Sequence, residues 1–115
     1  MVLDTKDFQT ITDSALKLFD ERVATADPSV CWEFDIEISR LESQVVQLYG
    51  IAALLARREP EIEKVAEIWG AMIQVCDTVA RKIQTLCVEH PMCMASHDKI
   101  LDIRNKSARL RDLHL

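Results

Sequence analysis

Glycine and proline are nearly missing from this chain: 2 and 3 residues out of 115, with no proline between Pro60 and Pro91. Scarce breakers combined with 29% charged residues are the composition of long helices, so the fold class read from composition is all-α. With Gly50 and Gly70 as the only glycines, no glycine-rich loop can cradle a phosphate. The opening residues, MVLDTKDFQTITDS, carry neither a basic n-region nor an apolar h-region, and the expectation is a cytoplasmic protein without a secretory signal. The longest uncharged run, Ser43 to Ala56, contains two glutamines and is too short to span a hydrocarbon core of about 30 Å. No membrane partner is expected.

A concentrated basic face is lacking too. The formal net charge is −5: residues 1–95 carry 9 Lys+Arg against 16 Asp+Glu, and residues 96–115 carry 5 against 3. An acidic body with a mildly basic end does not neutralise phosphates, so no nucleic-acid partner is expected, and the last helix is read as packing against the acidic ones. The four cysteines come without a signal for an oxidising compartment, and three stand at apolar positions of a helical pattern; no disulfide framework is inferred.

What is present is helical periodicity sufficient for one domain over residues 1–115, with helices at about 5–24, 28–58, 60–89 and 97–112. The first helix, with Asp4 or Thr5 as cap, places Phe8, Ile11, Leu16, Phe19 and Val23 on one side. Asp27 and Pro28 mark the start of the second helix. There Cys31, Phe34, Ile38, Leu41, Val45, Leu48, Ala52 and Leu55 recur at alternating spacings of 3 and 4, a heptad seam. The third helix repeats the pattern through Ile62, Val65, Trp69, Met72, Cys76, Val79, Ile83 and Leu86, with His90 in the next seam position. Only a few residues around Pro60 separate the two, which makes them antiparallel neighbours, each arm about 45 Å long from the helical rise. Facing residues in such a hairpin have position numbers with a constant sum. That rule pairs Leu55 with Val65, Leu48 with Met72, Leu41 with Val79 and Phe34 with Leu86 without losing phase, and sets the bulky Trp69 against the small Ala52. An antiparallel four-helix bundle built on a long central hairpin follows.

Beside the seam, Trp32, Val46, Tyr49, Ala53 and Ala56 adjoin Ala66, Gly70, Ile73, Ala80 and Cys87, a strip of mostly small residues that we assign to the first and last helices together. Gly70 in that strip is expected to resist a larger side chain, whereas Gly50 lies on the outer face. Ser96 is read as the cap of the last helix and Ile100, Ile103 and Leu110 as its apolar stripe. The opposite flank then holds Ile51, Leu54, Ile68 and Val75 with nothing to cover them. An uncovered aliphatic strip marks an interaction surface, here a two-fold homodimer, unless one of the outer helices crosses to that side.

Chemistry is harder to find. Carboxylate-bridged dimetal bundles need Glu-x-x-His pairs, and no Glu stands three residues before His90, His97 or His114. No Asp or Glu occupies a seam position, so paired carboxylates for acid–base work are absent from the hairpin core. The three histidines all fall at helix ends, which does not suit phosphotransfer on a mid-helix histidine. The remaining cluster is CVEHPMCMASHD, residues 87–98, in which Cys87, His90, Cys93 and His97, with Cys31 placed opposite His90 by the hairpin register, would suit zinc, or copper if a Met joined in. The spacing is not that of a known zinc finger. The competing account, which we prefer, has Cys87 packing as a small hydrophobe, Met92 and Met94 filling the bundle end, and His90 and His97 standing at helix ends with exposed polar atoms. The expected function is a non-catalytic protein–protein interaction module, self-associating and without cofactor; the alternative is a soft-metal or thiol redox sensor using residues 87–98. Metal analysis of protein purified without a metal-binding tag separates the two.

Overall fold

The computed structural model describes residues 4–25, 31–87 and 94–113, with backbone alone for 31–34 and 87. Four helices follow in order: α1 (Thr5–Thr25), α2 (Cys31–Arg58), α3 (Ile62–Cys87) and α4 (Met94–Asp112). Asp27 and Pro28 lie outside the described residues. Asp4 starts α1 through a reciprocal cap: its Oδ1 accepts from the Lys6 N–H at 2.8 Å, and its own N–H donates to Asp7 Oδ2 at 2.8 Å. Helix α2 ends at Arg58 because Pro60 holds the residue before it, Glu59, out of the helical region, and α3 begins at Ile62. The Glu59 N–H still closes the last turn of α2 on the Leu55 carbonyl, and the Glu61 carbonyl opens α3 by accepting from Val65. Helix α4 starts earlier than the sequence suggested, so Ser96 sits in its first turn and is not its cap. No described helix is long and apolar enough to cross a membrane.

The hairpin seam is the core. Ile38, Leu41, Val45, Leu48 and Ala52 of α2 are buried with Val65, Trp69, Met72, Cys76, Val79 and Ile83 of α3. Leu55 and Leu86 close the two ends half-buried, and Ile62, assigned to the seam by spacing, is exposed because it precedes the point where the helices meet. Tyr49 lies against Trp69 with ring centroids 5.5 Å apart and planes tilted by 48°. Phe34 and Cys31 offer no side chain for comparison, being outside the described side chains.

The outer helices divide the hairpin between them. Asp20 of α1 pairs with Lys82 at 2.8 Å and Arg22 with Glu37 at 3.6 Å, so α1 runs along the face of α3 marked by Ile68, Val75 and Lys82, each seven residues apart, and along Glu37, Gln44 and Ile51 of α2. Helix α4 takes the other flank: Arg104 Nε meets Asp77 Oδ1 at 2.6 Å, Lys99 reaches Glu42 at 3.9 Å, and Leu110 borders Tyr49, Ala53 and Trp69. Among the described residues α1 and α4 do not touch, while α3 touches all three other helices. The resulting rhombic bundle is a slab of 51 × 27 × 16 Å.

This arrangement corrects the assignment of both outer helices to one strip. Helices pack at interaxial distances of about 8–10 Å, so a strip one helix wide admits one helix. The uncovered aliphatic flank consequently does not exist: Ile68 is 7% and Val75 1% exposed beneath α1, and Ile51 packs against the core. Leu54 is exposed, on a different face. Val46, assigned to the covered strip, is exposed as well.

Small residues explain how α4, the most polar helix, packs closely along α3. Ser107 of α4 is fully buried, with its hydroxyl returned to the Ile103 carbonyl at 2.9 Å, which removes the cost of burying it unpaired. Thr12 of α1 does the same with Phe8 at 2.8 Å.

Two stability outcomes follow. Trp69→Ala should cost about 3–5 kcal/mol in urea unfolding, as large-to-small core changes do; a loss under about 1 kcal/mol would contradict the seam. A Cβ at Gly70 meets nothing within 4 Å, against the crowding expected from sequence, so Gly70→Ala should raise stability by up to about 1 kcal/mol through helix propensity. A destabilised Gly70→Ala protein would show that α4 approaches more closely than described.

Candidate functional site

Of the five residues suggested as metal ligands, only His97 has a described side chain; Cys31 and Cys87 are described by backbone alone, and His90 and Cys93 lie outside the described residues, as does Met92. His97 is buried, not exposed at a helix end, because α4 starts early enough to carry it into the first turn facing the bundle. Its Nδ1 lies 3.5 Å from Asp98 Oδ1. Among the described residues no three His, Cys, Asp or Glu side chains gather where they could hold an ion.

Cys76 is the one cysteine whose side chain is described, and its surroundings suit packing. It is fully buried in the seam, and burial, reinforced by the neighbouring Asp77 and opposed by Arg104, pushes its thiol up to about 12. A nucleophilic or metal-binding cysteine needs the opposite shift. The Asp77–Arg104 pair beside it clips α3 to α4 across a part-exposed boundary, where screening by solvent leaves such a contact a positional more than an energetic role.

The chemistry-poor core directs attention to the surface, and the outward face of α2 is unlike the rest of it. Ser39, Ser43, Val46, Gln47, Gly50 and Leu54 form an exposed stripe with no charge, in a chain where charged residues make up 29%. Val46 is 51% and Leu54 53% exposed. On the far side of the slab the corresponding face of α3 carries Glu67, Gln74 and Arg81. Where α1 leaves the N-terminal half of α2, a groove of about 700 Å³ opens onto the same stripe. Leu18 of α1 (49% exposed) and Ile36 of α2 (42%) form its lips, Phe19 and Leu41 its floor, and Ser39 and Ser43 its edge toward the stripe. Glu37 beside it is held between Arg22 and Arg40, at 3.6 and 2.9 Å. The groove floor is apolar, with Glu37 on its rim neutralised by the two arginines and Asp35 at one end unpaired among the described residues, which suits an aliphatic side chain better than an anionic ligand.

Of the residues proposed as an interaction surface, the structure leaves only Leu54 on this face. Leu18, Ile36 and Val46 were missed. For Val46 the signal lies in the sequence, since an uncharged run from Ser43 to Ala56, longer than the seam requires, also means an uncharged outer face; Leu18 and Ile36 stand outside that run and carry no such signal.

The burial of Cys76 gives a measurable expectation. Titrated with DTNB at pH 8, Cys76→Ala should show the same native thiol count as wild type and one fewer after denaturation; a lower native count would place Cys76 at the surface. Because its thiol ionises near 9.0 when unfolded and about 12 when folded, unfolding releases a proton between these values. The stability this thiol contributes is present below pH 9 and is lost as the pH climbs toward 12, so wild type should lose stability more steeply than Cys76→Ala across that window.

No relative supplies a further guide to this surface: no protein family model matches the chain, and neither a curated protein nor a solved structure is detectably similar to it.

Proposed function

We propose that the protein is a non-catalytic helical interaction module that associates with a second copy of itself. The observation that carries this reading is the exposed, uncharged face of α2 with the apolar groove beside it. Burying such a face against protein removes apolar surface from water at no cost in charge desolvation. The earlier basis for a dimer, the flank of Ile51, Ile68 and Val75, plays no part in it. The chemistry found among the described residues supports a binding role: the core thiol is held protonated by burial, and the floor of the groove is the apolar pair Phe19 and Leu41.

Sedimentation velocity from about 1 to 100 µM, a range that brackets the micromolar affinities of weak interfaces, tests the reading. The sedimentation coefficient should rise with concentration from monomer to dimer. A monomer throughout would refute self-association.

A further inference from the structure

We infer that the dimer forms by antiparallel packing of α2 on its own copy about a two-fold axis near Val46 and Gln47, with Leu54 of each chain entering the α1–α2 groove of the other. The inference rests on the self-association proposed above and names its surface and register.

The stripe on α2 maps onto itself when reversed about that axis. Gly50 then faces Ser43 of the second copy, Leu54 faces Ser39, and Val46 faces Gln47. Small residues oppose each other next to the axis, where the helices come closest, and a Cβ at Gly50 meets nothing within 4 Å in the single chain, leaving that approach open. Farther out, the large Leu54 opposes the small Ser39, which stands at the edge of the groove between Leu18 and Ile36. The protruding aliphatic side chain and the apolar recess lie on one face, 15 positions apart along α2 between Leu54 and Ser39, and reversal brings each onto the other.

Charge fixes the direction. The N-terminal end of the described face carries Asp35, which lines the groove, and the C-terminal end carries Arg57 and Arg58. Antiparallel packing sets Asp35 of one chain against Arg57 of the other, on the same edge of the stripe, twice per dimer. Among the described residues none of these side chains is engaged in an ion pair within its own chain. Parallel packing would instead set Arg57 and Arg58 against their own copies. The helix dipoles favour the antiparallel arrangement in the same sense.

The test uses the full chain in sedimentation equilibrium. Leu54→Glu should weaken association at least tenfold with unchanged circular dichroism, since Leu54 is exposed in the single chain; Val46→Glu, also exposed, serves if Leu54→Glu unfolds. Asp35→Arg and Arg57→Asp should each weaken self-association about tenfold; salt, which screens the attractive pairs of the wild type and so weakens its association, should strengthen association of each variant by screening like-charge pairs. Mixing the two single variants should restore association, because the mixed dimer alone has two attractive pairs. A wild-type dimer indifferent to Leu54→Glu, or variants whose mixture stays monomeric, would overturn this register while leaving self-association intact. A monomeric wild type would remove the proposed function itself.

Discussion

Everything in this bundle hangs on the packing of α3 into its three neighbours. Its seam residues Trp69, Met72, Cys76 and Ile83 are sealed against α2, its Ile68 and Val75 against α1, and its Ile73 and Ala80 lie on the side taken by α4. A helix buried over so much of its circumference must be apolar over most of it, which leaves a narrow polar ridge through Glu67, Gln74 and Arg81. Because α1 and α4 meet α3 and α2 but not each other, removing the hairpin would leave two amphipathic helices with no mutual contact. The hairpin is therefore the unit whose stability the rest depends on.

The seam was legible in the sequence because a heptad repeat in two adjacent helices overdetermines the answer. A register error of even one turn would have set Trp69 against a large residue, and the observed burial of Ala52 and Trp69 agrees with the pairing that periodicity dictated. The placement of α1 and α4 was not legible, since each has a single stripe that fits either flank equally well by pattern. Long-range pairs decide it: Asp20 with Lys82 and Arg104 with Asp77 join residues distant in sequence, and no local spacing announces them. The same limit hid the burial of His97. Spacing put a helix start at Ser96, and a start three residues earlier in the chain than position 97 turns a terminal histidine into an inward-facing one.

The candidate surface was partly legible, and the reason for the miss is physical. Ile68 and Val75 stand out in the sequence as apolar residues that need covering, and both are buried beneath α1. The face that stays open is marked less by what it contains than by the charge it lacks. Serines, a glutamine and a glycine raise no hydrophobic signal, yet together with Val46 and Leu54 they make a surface that carries no charge to desolvate and none to repel a like surface.

The net charge of −5 sharpens this last point. Two copies of an acidic chain repel each other over most of their surfaces, so contact is least costly where local charge vanishes or where opposite charges meet. On this molecule those two conditions coincide on α2: the uncharged stripe lies between Asp35 at one end and Arg57 and Arg58 at the other. The face of α3 opposite it, with Glu67 and Arg81 separated by Gln74, has no uncharged length comparable to the stripe from Ser43 to Leu54. The hairpin thus presents two faces with different consequences: on α3 it keeps a charged ridge in water, and on α2 it leaves, among the described residues, an uncharged stripe along which a second acidic chain would meet no like charge.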